Sequence, residues 1–367
     1  MELNFDEFIR RVLVALENAE FFDKDELAKS IGLDRASFET ALREYFFGKS
    51  FAVRAYPNYS RLGLKSVTAF LDFSFKWVGQ APDTLDMLSR NGFLVSWIKP
   101  FGGYTYVTHH AVPPDFVAKY RALFDQLVEL GLLSGYRFYE FESQPEGFAY
   151  DPAAYDYRQA RWKERANLGV EISRSLKGLA RQPFEGLDEI DLQIIEQLQY
   201  TSLQSLDALA KAIQQPLEVV ETHMRDHVIK QKLVLKYLMD IFRGEYIAPE
   251  TAALVGFCEG MREEVGSELE GWLLKHPYLT YINPGGDKVE FHLEMPWRVV
   301  PFMTTLLDKK VFALKPATYY LGVMSLASLH TYTIPLQQFS GGKWHFDDVA
   351  TFESFKLYLE ASAQGQS

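Results

Sequence analysis

Two stretches of this chain carry cations at spacings that suit a nucleic-acid groove. After Asp34, a residue type that caps helices, the segment RASFETALREYFF would display Arg35, Ser37, Thr40 and Arg43, with Lys49 and Arg54 on the turn and strand that follow. A guanidinium fork reads guanine edges in the major groove of double-stranded DNA, and the remaining cations hold phosphates. A later segment, PLEVVETHMRDHVI, offers Arg225, followed by Lys230 and Lys232. Its Glu218 and Glu221 would repel phosphate, so it is the weaker reader. The alternative for both is a solvated helix face.

The other constellations point less far. His223 and His227 stand four apart, a spacing that can seat a metal on one helix face, but the sequence sets no third ligand beside them. His109, His110 and His292 fall on strand-like segments and read as structural histidines. Cys258 lies in a run expected to be a core strand and reads as inert. Phe101-Gly102-Gly103 and Pro284-Gly285-Gly286 read as tight turns. No GxSxG, P-loop or GxGxxG pattern occurs, so no catalytic, metal or cofactor site is expected. A segment over 155–182 interleaves Arg158, Arg161, Lys163, Arg165, Arg174, Lys177 and Arg181 with Tyr155, Tyr157 and Trp162. It could lie along DNA, or pack its aromatics on the second half of the chain.

These residues are held in a chain of 367 residues with 47% apolar and 24% charged content, which is enough for two or three domains with large cores. No apolar run reaches the ~18 residues of a membrane span. One cysteine excludes an intrachain disulfide framework, and with an amphipathic, acidic start this gives a cytoplasmic expectation. The net charge of -11 argues against indiscriminate nucleic-acid coating. Most of that negative charge falls in the second half, so any DNA contact should concentrate in the first.

The elements that position the cations occur twice. Leu27-Ala28-Lys29-Ser30-Ile31 returns as Leu209-Ala210-Lys211-Ala212-Ile213, 182 positions on, and at that shift Val107 meets Val289 and His110 meets His292. The Gly-Gly pair returns at a shift of 183. Each half reads as three short helices and a strand, the order of a winged helix-turn-helix, followed by βαββαβ, the order of a ferredoxin-like sandwich. The expected fold class is therefore α+β, in two tandem repeats. Boundaries fall at 1–60 and 184–243 for the winged helices and at 61–150 and 244–340 for the sandwiches. A basic linker covers 151–183, and a helical extension over 341–367 would bury Phe346, Val349, Phe352, Phe355 and Leu357.

LDEIDLQIIEQLQ followed by LDALAKAI resembles the opening of the leucine-responsive regulator/AsnC (feast-famine) family. PFGGYTYVTHHAV and NPGGDKVEFHLEM sit where that family carries a TGxYD-like turn and an apolar strand. The resemblance implies a prokaryotic, archaeal-type transcription regulator in the form of a covalently fused dimer, with DNA as partner, further self-association and a small-molecule effector at the sandwiches. The turn acid of the family is absent at Gly103-Tyr104-Thr105, while the second copy has Gly286-Asp287, a departure that counts against a classical amino-acid effector. A related group decarboxylates sirohaem with a Tyr-Glu-Arg-type segment before an Asn-Leu-Trp strand. Neither segment stands here, so the expectation is a non-enzymatic regulator. The alternative is a ligand-sensing or interaction protein that has lost DNA binding.

Overall fold

The computed structural model describes residues 5–18, 24–46, 52–152, 154–156, 161–163, 182–240 and 251–364. The chain opens with α1 (Phe5–Asn18), α2 (Lys24–Ser30) and α3 (Arg35–Phe46), then β1 (Ala52–Pro57). Apolar residues at helical spacing put Phe5, Phe8, Ile9, Val12 and Leu16 of α1 in the core. Phe38 of α3 closes on Phe8 at 6.0 Å between ring centres. Asp34 accepts from the backbone N–H of Ser37 at 2.8 Å, satisfying one of the open donors at the start of α3.

The next elements are β2 (Lys65–Phe73), α4 (Ala81–Asn91), β3 (Leu94–Ile98), β4 (Thr105–Val112), α5 (Val117–Glu129), β5 (Leu133–Phe141) and β6 (Glu146–Gly147). A small hairpin of β7 (Tyr155–Asp156) and β8 (Arg161–Trp162) follows. The second half repeats the order with α6 (Glu189–Tyr200), α7 (Leu206–Ala212), α8 (Leu217–His223) and β9 (Val234–Asp240). Then come β10 (Thr251–Glu259), α9 (Glu263–Leu274), β11 (Leu279–Pro284), β12 (Lys288–Pro296), α10 (Val300–Leu314), β13 (Thr318–Ser325) and β14 (Leu329–Thr331). β15 (Phe339–Ser340), β16 (Lys343–Trp344) and α11 (Asp348–Gln364) close the chain. β13, the closing strand of the second half's βαββαβ order, is eight residues long.

Three pairings tie the halves together. β1 and β9 form an antiparallel ribbon, Val53 opposite Met239. The two five-stranded sheets run β14-β3-β4-β2-β5 and β13-β10-β12-β11-β6. Each sheet thus borrows its edge strand from the other half, β6 extending β11 and β14 extending β3. This reciprocal loan satisfies an edge that would otherwise present unpaired backbone groups. The sheets meet through Phe70, Ile98, Val107, Phe141, Val255, Phe257 and Met324, all buried.

The segments between and after the halves also cross over. Trp162 is buried, donates to Thr251 Oγ1 at 3.0 Å and packs on Tyr278 at 5.3 Å. The described part of the cationic segment is thus anchored on the second half by its aromatics. Arg158, Arg165, Arg174, Lys177 and Arg181 lie outside the described residues. α11 packs on α4 and α5 of the first half. Phe346, Phe355 and Leu359 are buried there, whereas Val349 and Leu357, expected inside, are exposed. The seam follows the 3.6-residue period from Phe355 to Leu359, which places Leu357 on the far side.

Candidate active site between the two sheets

A cavity of about 760 Å³ lies where the β1–β9 ribbon, both sheets and both exchanged arms converge. Its wall includes Arg54, Tyr56 and Tyr59 from the first half's ribbon, and Ser96 and His109 from β3 and β4. Tyr281 and His292 come from β11 and β12, and Tyr150 and Tyr332 from the arms. The volume is in the upper part of the ~300–1,000 Å³ typical of small-molecule sites.

Behind the lining residues His109 and His292, and not itself part of the wall, lies Glu290, which is fully buried. His109 Nε2 approaches Glu290 Oε1 at 2.6 Å, and Thr68 Oγ1 donates to Oε2 at 2.6 Å. His292 Nε2 is 3.6 Å from the same carboxylate oxygen, outside hydrogen-bond range. His109 Nδ1 in turn meets Ser96 Oγ at 2.7 Å. A line of groups Ser96–His109–Glu290–His292 therefore alternates hydroxyl, imidazole, carboxylate and imidazole, with the carboxylate behind the cavity wall and the other three in it.

Burial alone would raise the Glu290 carboxyl, but the attraction and hydrogen bond of His109, with the nearby His292 ring, outweigh it and hold the carboxyl well below its ordinary range. Burial lowers His292, and Glu290 offsets this only in part. The ring stacks on Tyr281 at 4.4 Å, which fixes its orientation. Burial raises the phenols of Tyr56, Tyr59 and Tyr281, so all three stay protonated donors at neutral pH. Such a site can bind a large, flat ligand between aromatic walls and move a proton at its floor.

The strand registers explain how two distant histidines meet. Ser96 pairs with His109 just after a bulge in β3, and Tyr281 pairs with His292 just after a bulge in β11. His292 therefore corresponds to His109, a shift of 183 rather than the 182 that aligned it with His110. His110 faces the opposite side of its sheet, hydrogen-bonded to Tyr120 Oη at 3.0 Å and Thr108 Oγ1 at 2.8 Å, and burial depresses it to about 3. It is structural, as expected of all three. All three line the cavity, but only His109 and His292 approach Glu290. In the sequence the KVEFHLEM strand carried no sign that Glu290 would face another half's imidazole.

The expected DNA-contact residues are scattered. Arg35 is exposed at the start of α3 but engaged by Asp25 at 3.1 Å and Glu39 at 3.2 Å. Ser37 is exposed with its hydroxyl on Asp34, Thr40 is exposed, and Arg43 lies on the same helix. Lys49 lies outside the described residues. Arg54 lines the cavity, with its Nε shielded from solvent. Arg225 is exposed and bidentate with Asp226, while Lys230 and Lys232 are exposed near the turn before β9. Cys258 is buried and its thiol is pushed up to about 12, consistent with an unreactive core residue.

No protein-family model matches this chain, and no curated protein does. Among solved structures, the siroheme decarboxylase NirDL shares the fold with a TM-score of 0.56 at 10% identity, over 98% of this chain and 99% of that one. NirDL in complex with an iron-uroporphyrin III analogue gives 0.55 at 9% identity, over 97% and 99%. E. coli AsnC matches over 40% of this chain and 95% of its own, at 16% identity and a TM-score of 0.28. The chain thus has a mixed α+β fold of the NirDL kind. The expectation of a non-enzymatic protein is corrected by this result, because the architecture shared end to end is that of an enzyme. Among the described residues no helix is long and apolar enough to cross a membrane.

Proposed function

We propose that this chain is an enzyme that binds a large, planar, carboxylate-bearing ligand of the tetrapyrrole class in the central cavity and decarboxylates it. The observation that carries the reading is the buried Glu290 carboxylate set between two cavity imidazoles at the meeting of the sheets. Non-oxidative loss of CO₂ from an acetate substituent breaks the carbon–carboxylate bond and leaves the electron pair on carbon, conjugated with the ring. One proton must then arrive. The protonated form of His292, which the neighbouring ionised Glu290 favours, supplies it and takes a proton back from solvent, so one proton is consumed for each CO₂ lost. General acid catalysis of this kind contributes roughly 10²–10⁴-fold. The Tyr56, Tyr59 and Tyr281 rings give apolar faces for the macrocycle, and Arg54 supplies a cation for its carboxylates.

The test uses sirohaem and iron-uroporphyrin III as probes. Binding should shift their visible absorbance. Mass spectrometry of the sirohaem reaction should show products lighter by CO₂, and Glu290→Gln and His292→Ala should bind the pigment yet lose at least about a hundredfold in turnover. Absence of any pigment binding by the folded protein defeats the reading.

A second reading is a regulator built of two winged helix-turn-helix and sandwich repeats that binds double-stranded DNA. It is favoured by the exposed stripe of Arg35, Ser37 and Thr40 on α3, and opposed by the neutralisation of Arg35 by Asp25 and Glu39. A mobility shift that weakens in Arg35→Ala/Arg43→Ala and falls with salt would support it; equal binding by both proteins would remove α3 from the account.

A further inference from the structure

A second cluster shares no residue with the cavity lining. His223 ends α8, and the helix continues as a π-helical turn over Met224–Ile229 that contains His227. The wider turn places the two rings 4.7 Å apart, both on the same side. Both present Nδ1 to one carboxylate: His223 reaches Asp191 Oδ1 at 2.9 Å, and His227 reaches Asp191 Oδ2 at 2.9 Å. Asp188 Oδ1 is 3.6 Å from His223 Nδ1. One ligand atom from each of the four residues can be chosen so that all lie within 4.8 Å of one another.

We propose that Asp188, Asp191, His223 and His227 form a structural site for a tetrahedral divalent cation, zinc in the first instance, that clips α6 to α8. Two imidazole nitrogens and two carboxylate oxygens are a donor set suited to Zn²⁺. Bonds of ~2.0–2.2 Å imply tetrahedral edges of about 3.4 Å, and the observed 2.9 and 3.6 Å separations straddle that value. Each ring carries its proton on Nε2 once Nδ1 binds metal, and two carboxylates balance the ion's charge. Asp191 has no solvent exposure, and Asp188 Oδ1, the oxygen 3.6 Å from His223, also caps α6 by accepting from the N–H groups of Ile190 and Asp191. At the 182-residue shift the first half has Ile9, Ala41 and Tyr45 in place of Asp191, His223 and His227. Three of the four donors are thus particular to the second half, while Asp188 falls at Asp6 at the same shift.

The experiment takes the full chain, stripped with chelator, and titrates it with Zn²⁺ and with Co²⁺. The expected result is one metal per chain, a tetrahedral Co²⁺ visible spectrum, and a melting temperature raised by the metal. His223→Ala/His227→Ala should lower bound metal about tenfold or more and abolish the thermal shift, while His109→Ala/His292→Ala should keep both. If the first pair fails to fold, Asp188→Asn serves in its place, with weakened binding expected. A folded wild-type chain that takes up no metal overturns the proposal, as does metal that survives loss of His223 and His227 or departs with His109 and His292.

Discussion

β4 and β12 are matching central strands, and they differ at the position that matters. The registers set His109 opposite Ser96 and His292 opposite Tyr281, so the two imidazoles correspond. Two residues earlier on each strand, the first half has Val107 and the second has Glu290. Val107 is packed between the sheets with Phe70 and Phe257, whereas Glu290 takes hydrogen bonds from His109 and Thr68. One carboxylate serves two imidazoles because only one half supplies it. A symmetric pair of carboxylates would repel across a buried contact. The difference teaches that like frameworks reach an active arrangement by being unlike at one residue.

The largest perturbation is to force the halves to agree. Val107→Glu would bury a second carboxylate among Phe70, Ile98 and Phe257 with no partner placed for it. The expected loss is several kcal/mol, and chemical denaturation should show the midpoint collapse or cooperativity vanish. An unchanged midpoint would mean that the sheets part more easily than the packing implies.

The exchanged arms differ in the same spirit. β6 carries Glu146, paired with buried Lys236 of β9 at 3.1 Å, whereas β14 offers Leu329, His330 and Thr331, with His330 stacked on Trp97 at 3.9 Å. Glu146→Ala strands a lysine, and a cost of about 3–5 kcal/mol is expected. His330→Ala, at a more exposed stack, should cost much less. Equal losses in urea unfolding would erase the distinction between the arms.

Ala69 faces Thr108 in the first half where Gly256 faces Phe291 in the second. The halves fill similar space by opposite choices of size. A Cβ on Gly256 would land 2.0 Å from the Phe291 ring, so Gly256→Ala should cost about 1–3 kcal/mol. Pairing it with Phe291→Leu should recover part of the loss in the same melting assay. No recovery would locate the strain elsewhere.

The smallest effect is one of pH. His110 is the first half's counterpart of Leu293, and burial depresses it to about 3 from an unfolded value of 6.5. A histidine depressed in the folded state contributes fully above 6.5, and its contribution falls as the pH drops from there toward 3. Between pH 7 and 5.5 it should withdraw about 1 kcal/mol, and unfolding of His110→Leu should be less pH-dependent by that amount. Identical slopes would show that His110 charges without cost.

Much of this architecture was readable along the chain. The apolar spacing of Phe5, Phe8, Ile9 and Val12, the cap at Asp34 and the repeated LAK segments announced the helices and their second appearance, because helix period and capping are local properties. The alternation of strands and helices along the chain was readable from their periods. The site was not readable. His109 and Glu290 are separated by 181 residues and meet across two sheets, and the shift of 182 that aligned the helices misaligned the strands by one. A one-residue error in a strand exchanges its faces, which is why His110 looked like the partner of His292. The pair His223 and His227 was visible, but Asp191 read only as part of a helix start.

The sequence by itself determined where helices and strands begin and end, since these depend on caps, turns and the period of apolar residues within a few positions. Tertiary structure alone decided which edge strands are exchanged, which imidazoles share a carboxylate and how deeply those groups are buried. Proton affinity and ligand fit depend on distance and solvent access between residues far apart in the chain, and no local pattern specifies either.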